Sequence, residues 1–96
     1  MTALGYTEHA LNDLEKLRDF LRETDEAPAA QTVELITTAV GLLEQHPLIG
    51  RPAESGLREL VVSRGKSGYL ALYLYDEARD RVLVLRLRHQ REAGYS

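Results

Sequence analysis

A chain of 96 residues, 44% hydrophobic and 28% charged, can fill one small core and not two, so a single domain over residues 1–96 is expected. The lack of cysteine excludes disulfides and zinc-thiolate sites, MTALGYTEHA has no signal-peptide character, and no apolar run approaches the roughly 20 residues of a membrane-crossing helix, so a soluble, cytoplasmic protein is expected. The net charge of -3 hides a division: residues 1–50 hold three Lys or Arg against nine Asp or Glu, whereas residues 51–96 hold nine against six and are positive by +3.

Residues 3–6 are a candidate short first strand, and Thr7 is placed to cap a helix after it. Apolar residues then recur at Ala10, Leu11, Leu14, Leu17 and Leu21, with Phe20 beside the stripe, which predicts helix over residues 8–23. Thr24, Asp25, Glu26, Ala27 and Pro28 offer caps and a first-turn proline for a second helix with the stripe Ala29, Val33, Ile36, Val40 and Leu43. Two amphipathic helices so closely joined read as an antiparallel hairpin. Leu35 and Leu42 broaden its core stripe. The segment HPLIGRP ends it, because Pro47 disfavours helix at His46, and Gly50 and Pro52 break any regular element across the segment.

After that segment the apolar period changes to two. Leu60 and Val62 share a face in residues 57–64, Leu70, Leu72 and Leu74 in residues 69–75, and Leu83, Leu85 and Leu87 in residues 81–89. The connections at 65–68 and 76–80 are short and polar. A three-stranded antiparallel meander packed on the helical hairpin is therefore expected, an α+β fold to which residues 3–6 can add a strand.

The opposite strand faces carry Tyr69, Ala71, Tyr73 and Tyr75 on the middle strand and Val82, Val84, Arg86 and Arg88 on the last, which would place aromatics and cations on one surface. Tyrosine suits strands and Arg stems cover half-exposed sheet, but two cations flanking Leu87 cannot neutralise one another and are better placed to face a carboxylate or phosphate. The closing run RVLVLRLRHQREAGY thus gathers Arg86, Arg88, His89, Arg91 and Tyr95 at a strand end, a rigid platform for an anionic partner. A surplus of +3 permits nucleic acid there without demanding it. RGKSG ends like a phosphate loop, yet Leu60 stands where the first glycine belongs and a strand comes next in place of a helix. His9, His46 and His89 lack ligand spacing, and Ser63 and Ser67 lie in no nucleophile elbow, so neither metal nor cofactor is expected.

Taken in order, the helix pair, HPLIGRP, LRELVV, the Tyr-rich GYLALYLYD and the closing VLVLRLRHQR resemble the RelE/ParE superfamily, bacterial toxins of type II toxin–antitoxin systems that include plasmid-stabilisation proteins. The likeness spans nearly the whole chain and rests on order and spacing, with no single diagnostic motif. It implies a growth-inhibiting toxin held in a hetero-oligomer by a cognate antitoxin whose tail wraps it. Superfamily members divide into ribosome-dependent messenger RNA endonucleases and DNA gyrase poisons; since one fold serves both, the site has to decide.

A nuclease of this kind directs a ribose 2′-hydroxyl at the adjacent phosphodiester and needs a base, an acid and cations. His89 is then the acid or base candidate, supported by Arg86, with Tyr95 able to stack on an unpaired base. Arg58, Arg64, Lys66, Arg86, Arg88 and Arg91 are candidate contacts to an anion or a partner. The ribosome-targeting members are markedly basic, however, whereas this chain is acidic overall, and Glu59 stands alone in its strand with no paired carboxylate. A gyrase poison requires a contact surface and no general base, and this branch is favoured over the nuclease. A degenerate toxin that only pairs with its antitoxin is the third reading.

Overall fold

The computed structural model describes residues 1–24, 29–64, 67–91 and 95, with the backbone alone for Thr24, Arg64 and Ser67. In chain order the elements are β1 (Ala3–Tyr6), α1 (Glu8–Thr24), α2 (Ala29–Gly41), β2 (Arg51–Pro52), β3 (Arg58–Arg64), β4 (Ser67–Asp76) and β5 (Arg81–His89), with single 3₁₀ turns at Leu42–Glu44 and Glu54–Gly56. The cap proposed at Thr7 is formed: its Oγ1 accepts the Ala10 N–H at 3.1 Å and donates to the Leu85 carbonyl at 2.9 Å. One hydroxyl thus starts α1 and ties it to the last strand. The cap candidates Asp25, Glu26, Ala27 and Pro28 lie outside the described residues.

The α+β class holds, but the expected helical hairpin on a three-stranded meander does not. Two helices pack on a five-stranded mixed sheet of order β1-β5-β4-β3-β2, with β1 parallel to β5 and the other pairs antiparallel. α1 lies chiefly against β5 as well as α2. Two strands account for the difference. β1 pairs with a partner near the other end of the chain, Ala3 opposite Arg81 and Tyr6 opposite Val84, which local periodicity cannot report. β2 is two residues long, Arg51 opposite Glu59 and Pro52 opposite Arg58, too short for any alternation and placed at an edge, where proline is tolerated.

The core also reverses two face assignments. Tyr69, Ala71 and Tyr73 of β4 and Val82 and Val84 of β5 are at most 3% exposed and meet Ala10, Leu17, Ile36, Val40 and Leu43 from the helical layer, whereas Leu74 on the other face is 39% exposed. On β5 the alternation is broken by a bulge: Tyr73 pairs with Val84 and Leu72 with Arg86, leaving Leu85 without an opposite residue. Val82 and Val84 therefore share the helix side with Leu87, while Arg86 and Arg88 join Leu72 and Leu70 on the other side. An unbroken Leu83, Leu85 and Leu87 stripe does not exist.

Within α1 the buried stripe is Ala10, Asp13, Leu17 and Leu21, while Leu11 and Phe20 are about half exposed, at 50% and 49%. In α2, Thr32 takes a fully buried place beside Ile36 and Val40. Leu35 packs against the core as expected of a broadened stripe, but Leu42 is 52% exposed. Asp80, with a left-handed backbone at φ 48°, accepts hydrogen bonds on Oδ1 from the Thr2 hydroxyl at 2.7 Å and the Tyr75 hydroxyl at 2.9 Å, pinning the start of β1 to the β4–β5 turn. Among the described residues no helix is long and apolar enough to cross a membrane.

The segment HPLIGRP is held from beneath by the sheet. The buried Tyr73 hydroxyl donates to the Pro47 carbonyl at 2.7 Å and accepts the Gly50 N–H at 2.9 Å. Arg58, rooted on the same face, donates to the Leu48 carbonyl at 3.2 Å and the Gly50 carbonyl at 2.8 Å. Gly50 is required by close approach, since a Cβ there would stand 2.6 Å from the Tyr73 ring. Gly50→Ala is expected to lower stability by about 1–3 kcal/mol, because the buried ring has to shift, and urea unfolding at neutral pH measures the loss.

Candidate functional site

β1 ends at Tyr6, and beyond it the outer edge of β5 has no neighbouring strand. A helix side chain takes that place. Asp13 Oδ2 accepts the Leu87 backbone N–H at 2.9 Å and Arg86 Nε at 2.8 Å, while Oδ1 accepts Arg86 Nη2 at 3.3 Å. The two side chains are only 8% and 16% exposed. Arg86 does face a carboxylate, then, but one supplied by its own chain in a two-pronged pair. Burial pushes the Asp13 carboxyl up, yet the bonds from Arg86 and Leu87 and the guanidinium charge outweigh it and hold the group below the ordinary carboxylate value.

On the sheet face away from the helices, a second cluster forms around Glu59. Its carboxylate accepts the Tyr95 hydroxyl at 2.7 Å and Arg51 Nε at 3.0 Å. The Arg88 guanidinium lies 4.9 Å from the Tyr95 ring centroid, with that of Arg86 at 6.0 Å. Leu70, opposite Arg88 in the ladder, is only 2% exposed although it stands outside the main core, so it forms an apolar floor to this cluster. Burial raises the Glu59 carboxyl, but hydrogen bonds from Tyr95 and Arg51 and the charges of Arg51 and Arg88 bring it below the ordinary value. Tyr95 moves the opposite way. Burial first, then the adjacent Glu59 carboxylate, push its phenol far above the ordinary value, so it is a hydrogen-bond donor and not a base at neutral pH.

The expected site residues are thus partly assembled. Arg86, Arg88 and Tyr95 come together. His89, in the ladder opposite Tyr69, sits on the helix-side face, its ring edge-on to the Tyr69 ring at 5.2 Å and its Nδ1 accepting the Arg91 N–H at 3.0 Å. Arg58 turns inward to hold the Leu48 and Gly50 carbonyls, and Arg91 is exposed. The Arg64 side chain and Lys66 lie outside the described residues. Among the described residues no three His, Cys, Asp or Glu side chains converge as metal ligands would.

Sequence reasoning missed Asp13, Glu59 and Arg51 as members of these clusters. Asp13 carried a signal: a charged residue three positions after Ala10 and four before Leu17, inside an apolar stripe, calls for a buried partner. Glu59 and Arg51 carried none, because their pairing depends on β2 joining the sheet.

Solved structures share this architecture. The chromosomal ParDE system of P. aeruginosa matches with a TM-score of 0.75 and 26% identity, covering 93% of this chain and 96% of that one. The RelBE2 toxin–antitoxin complex of Mycobacterium tuberculosis matches with a TM-score of 0.61 and 29% identity, over 93% of this chain and 98% of that one. Fold and sequence together define a toxin of the RelE/ParE superfamily. Within it, residues 4–94 match the family described as ParE toxin of type II toxin-antitoxin system, parDE, and the chain belongs to that family. A relative named Toxin RelE3, from Caulobacter vibrioides, is 37% identical over 84 residues, 86% of this chain and 88% of the relative.

Asp13 and Glu59 titrate lower in the folded chain than in the unfolded one, so they stabilise the fold above about pH 4 and lose that contribution as pH falls through their depressed values. Asp13→Asn is therefore expected to cost about 1–3 kcal/mol at pH 7, while flattening the loss of stability between about pH 5 and pH 2. Urea midpoints across that range measure both effects. An equally steep acid limb in the variant would show that Asp13 does not drive it.

Proposed function

We propose that this protein is a ParE-like toxin that arrests bacterial growth by contacting DNA gyrase and is neutralised by a cognate antitoxin in a cytoplasmic toxin–antitoxin hetero-oligomer. The observation that carries this reading is how the polar groups a nuclease needs are placed. Arg86 is engaged by Asp13, Tyr95 is a protonated donor to Glu59, and His89 stands on the opposite sheet face with Tyr69 and Arg91. General acid–base catalysis needs its groups within hydrogen-bond reach of one substrate, and this arrangement supports a contact surface in its place. The match of residues 4–94 to the ParE toxin family supports the same branch. An antitoxin partner is supported by the neighbouring structures, which are toxin–antitoxin systems.

The alternative is a RelE-like, ribosome-dependent messenger RNA endonuclease acting through 2′-hydroxyl attack, with His89, Arg86 and Tyr95 as its catalytic set. It is favoured by the 37% identity to a toxin named RelE3 and by the aromatic–cation stack of Tyr95 on Arg88, a surface on which an unpaired base can lie. A degenerate toxin that only binds antitoxin predicts unimpeded growth.

Expression without antitoxin is expected to arrest growth and to trap gyrase–DNA cleavage products while leaving messenger RNA intact, and His89→Ala is expected to retain the arrest. Primer extension and a gyrase cleavage assay run in parallel distinguish the branches. Cleavage of messenger RNA between codons that drops by about a hundredfold or more in His89→Ala would establish the endonuclease instead.

A further inference from the structure

We infer that the Leu48–Ile49 tip is an apolar knob that inserts into a pocket of the protein this toxin attacks, in a transient contact separate from antitoxin binding. The inference rests on the growth-arrest reading and names the element that makes the contact.

The tip is unusual in what it exposes and in how firmly it is held. Leu48 and Ile49 are 52% and 49% exposed, and Leu42, in the turn that leads into the segment, is 52% exposed. Four hydrogen bonds from the sheet fix the backbone around them: Tyr73 holds Pro47 and Gly50, and Arg58 holds Leu48 and Gly50. A fifth, from the Ile49 N–H to the His46 carbonyl at 3.2 Å, closes the turn. A fully buried tyrosine and a strand arginine are thus committed to a loop whose two central side chains contribute nothing to the core. Such rigidity lowers the ordering cost of binding, which is the property of a recognition element.

The surroundings of the tip define the chemistry of the partner. Pro47, Leu48, Ile49 and Gly50 carry no charge, Arg51 is paired to Glu59, and Arg58 is turned inward, so the tip offers a nucleic-acid backbone no phosphate contact of its own. An apolar pocket on a protein is the complementary surface. A second copy of this chain is disfavoured, because three half-exposed aliphatic side chains fall far short of the roughly 800 Å² per partner that a stable dimer buries. The same shortfall separates the tip from an antitoxin that must stay bound. A small anchor in a pocket suits a transient target.

The test uses the full chain carrying Leu48→Asp and Ile49→Asp together, with Leu48→Ser and Ile49→Ser as milder single variants. All are expected to keep the wild-type circular dichroism and melting temperature and to bind the cognate antitoxin within about twofold, while affinity for purified gyrase falls roughly thirtyfold in the double variant and growth arrest is lost. Undiminished growth arrest by a folded double variant would overturn the inference, as would an equal loss of antitoxin binding. Loss of messenger RNA cleavage by an otherwise gyrase-blind protein would also overturn it, assigning the tip to RNA. Should the double variant fail to fold, the single variants decide by the same readouts. If the wild type neither arrests growth nor binds gyrase, it is the functional reading that fails.

Discussion

The sheet depends on what happens at β5 after β1 runs out. β1 supplies four paired residues and the chain then turns into α1, so the second half of β5 would present an open edge beside the helix. Thr7 and Asp13 close it, the hydroxyl on the Leu85 carbonyl and the carboxylate on the Leu87 N–H. Asp13 is costly to bury alone, and Arg86 offsets that cost from the adjacent position. A bulge makes the arrangement possible: by inserting Leu85, β5 keeps Leu87 in the core while Arg86 reaches round the edge.

Two cations that the sequence marks as available are thus already occupied. Arg86 is held by Asp13 and Arg88 lies against Tyr95, whose hydroxyl is in turn held by Glu59. Arg51 shares Glu59 and Arg58 serves backbone carbonyls. The positive half of the chain therefore projects less field than its composition suggests, and its charges act mainly as internal ties. That fits an overall acidic protein better than electrostatic capture of a polyanion.

What the sequence disclosed and what it hid divide along physical lines. Both helices and the strands β3, β4 and β5 were legible because each repeats its apolar residues over seven or more positions. β2 has two residues and β1 has a distant partner, so neither leaves a periodic trace of its pairing. The faces of β4 misled because leucine and tyrosine both suit a strand, and burial chose the tyrosines, Tyr73 having its hydroxyl satisfied by the HPLIGRP loop. On β5 one extra residue exchanged the faces midway. Of the candidate site, Arg86, Arg88 and Tyr95 were found as a group, while His89 was separated from them by the pleat, a distinction that rests on register alone.

The parallel ladder between β1 and β5 bears on the order of assembly. Ala3 pairs with Arg81, and Asp13 with Arg86 across 73 positions, so the first strand and first helix find their partners only after nearly the whole chain has been made. β4, the central strand, and β5 beside it also come late in the chain. Pairing over such separations is slow, because the loop must close before any contact rewards it. A nascent chain therefore holds two helices with exposed apolar stripes and no sheet to receive them. The cell meets an unfinished, inert polypeptide first, and the interval before the last strand docks is time in which another protein can reach it.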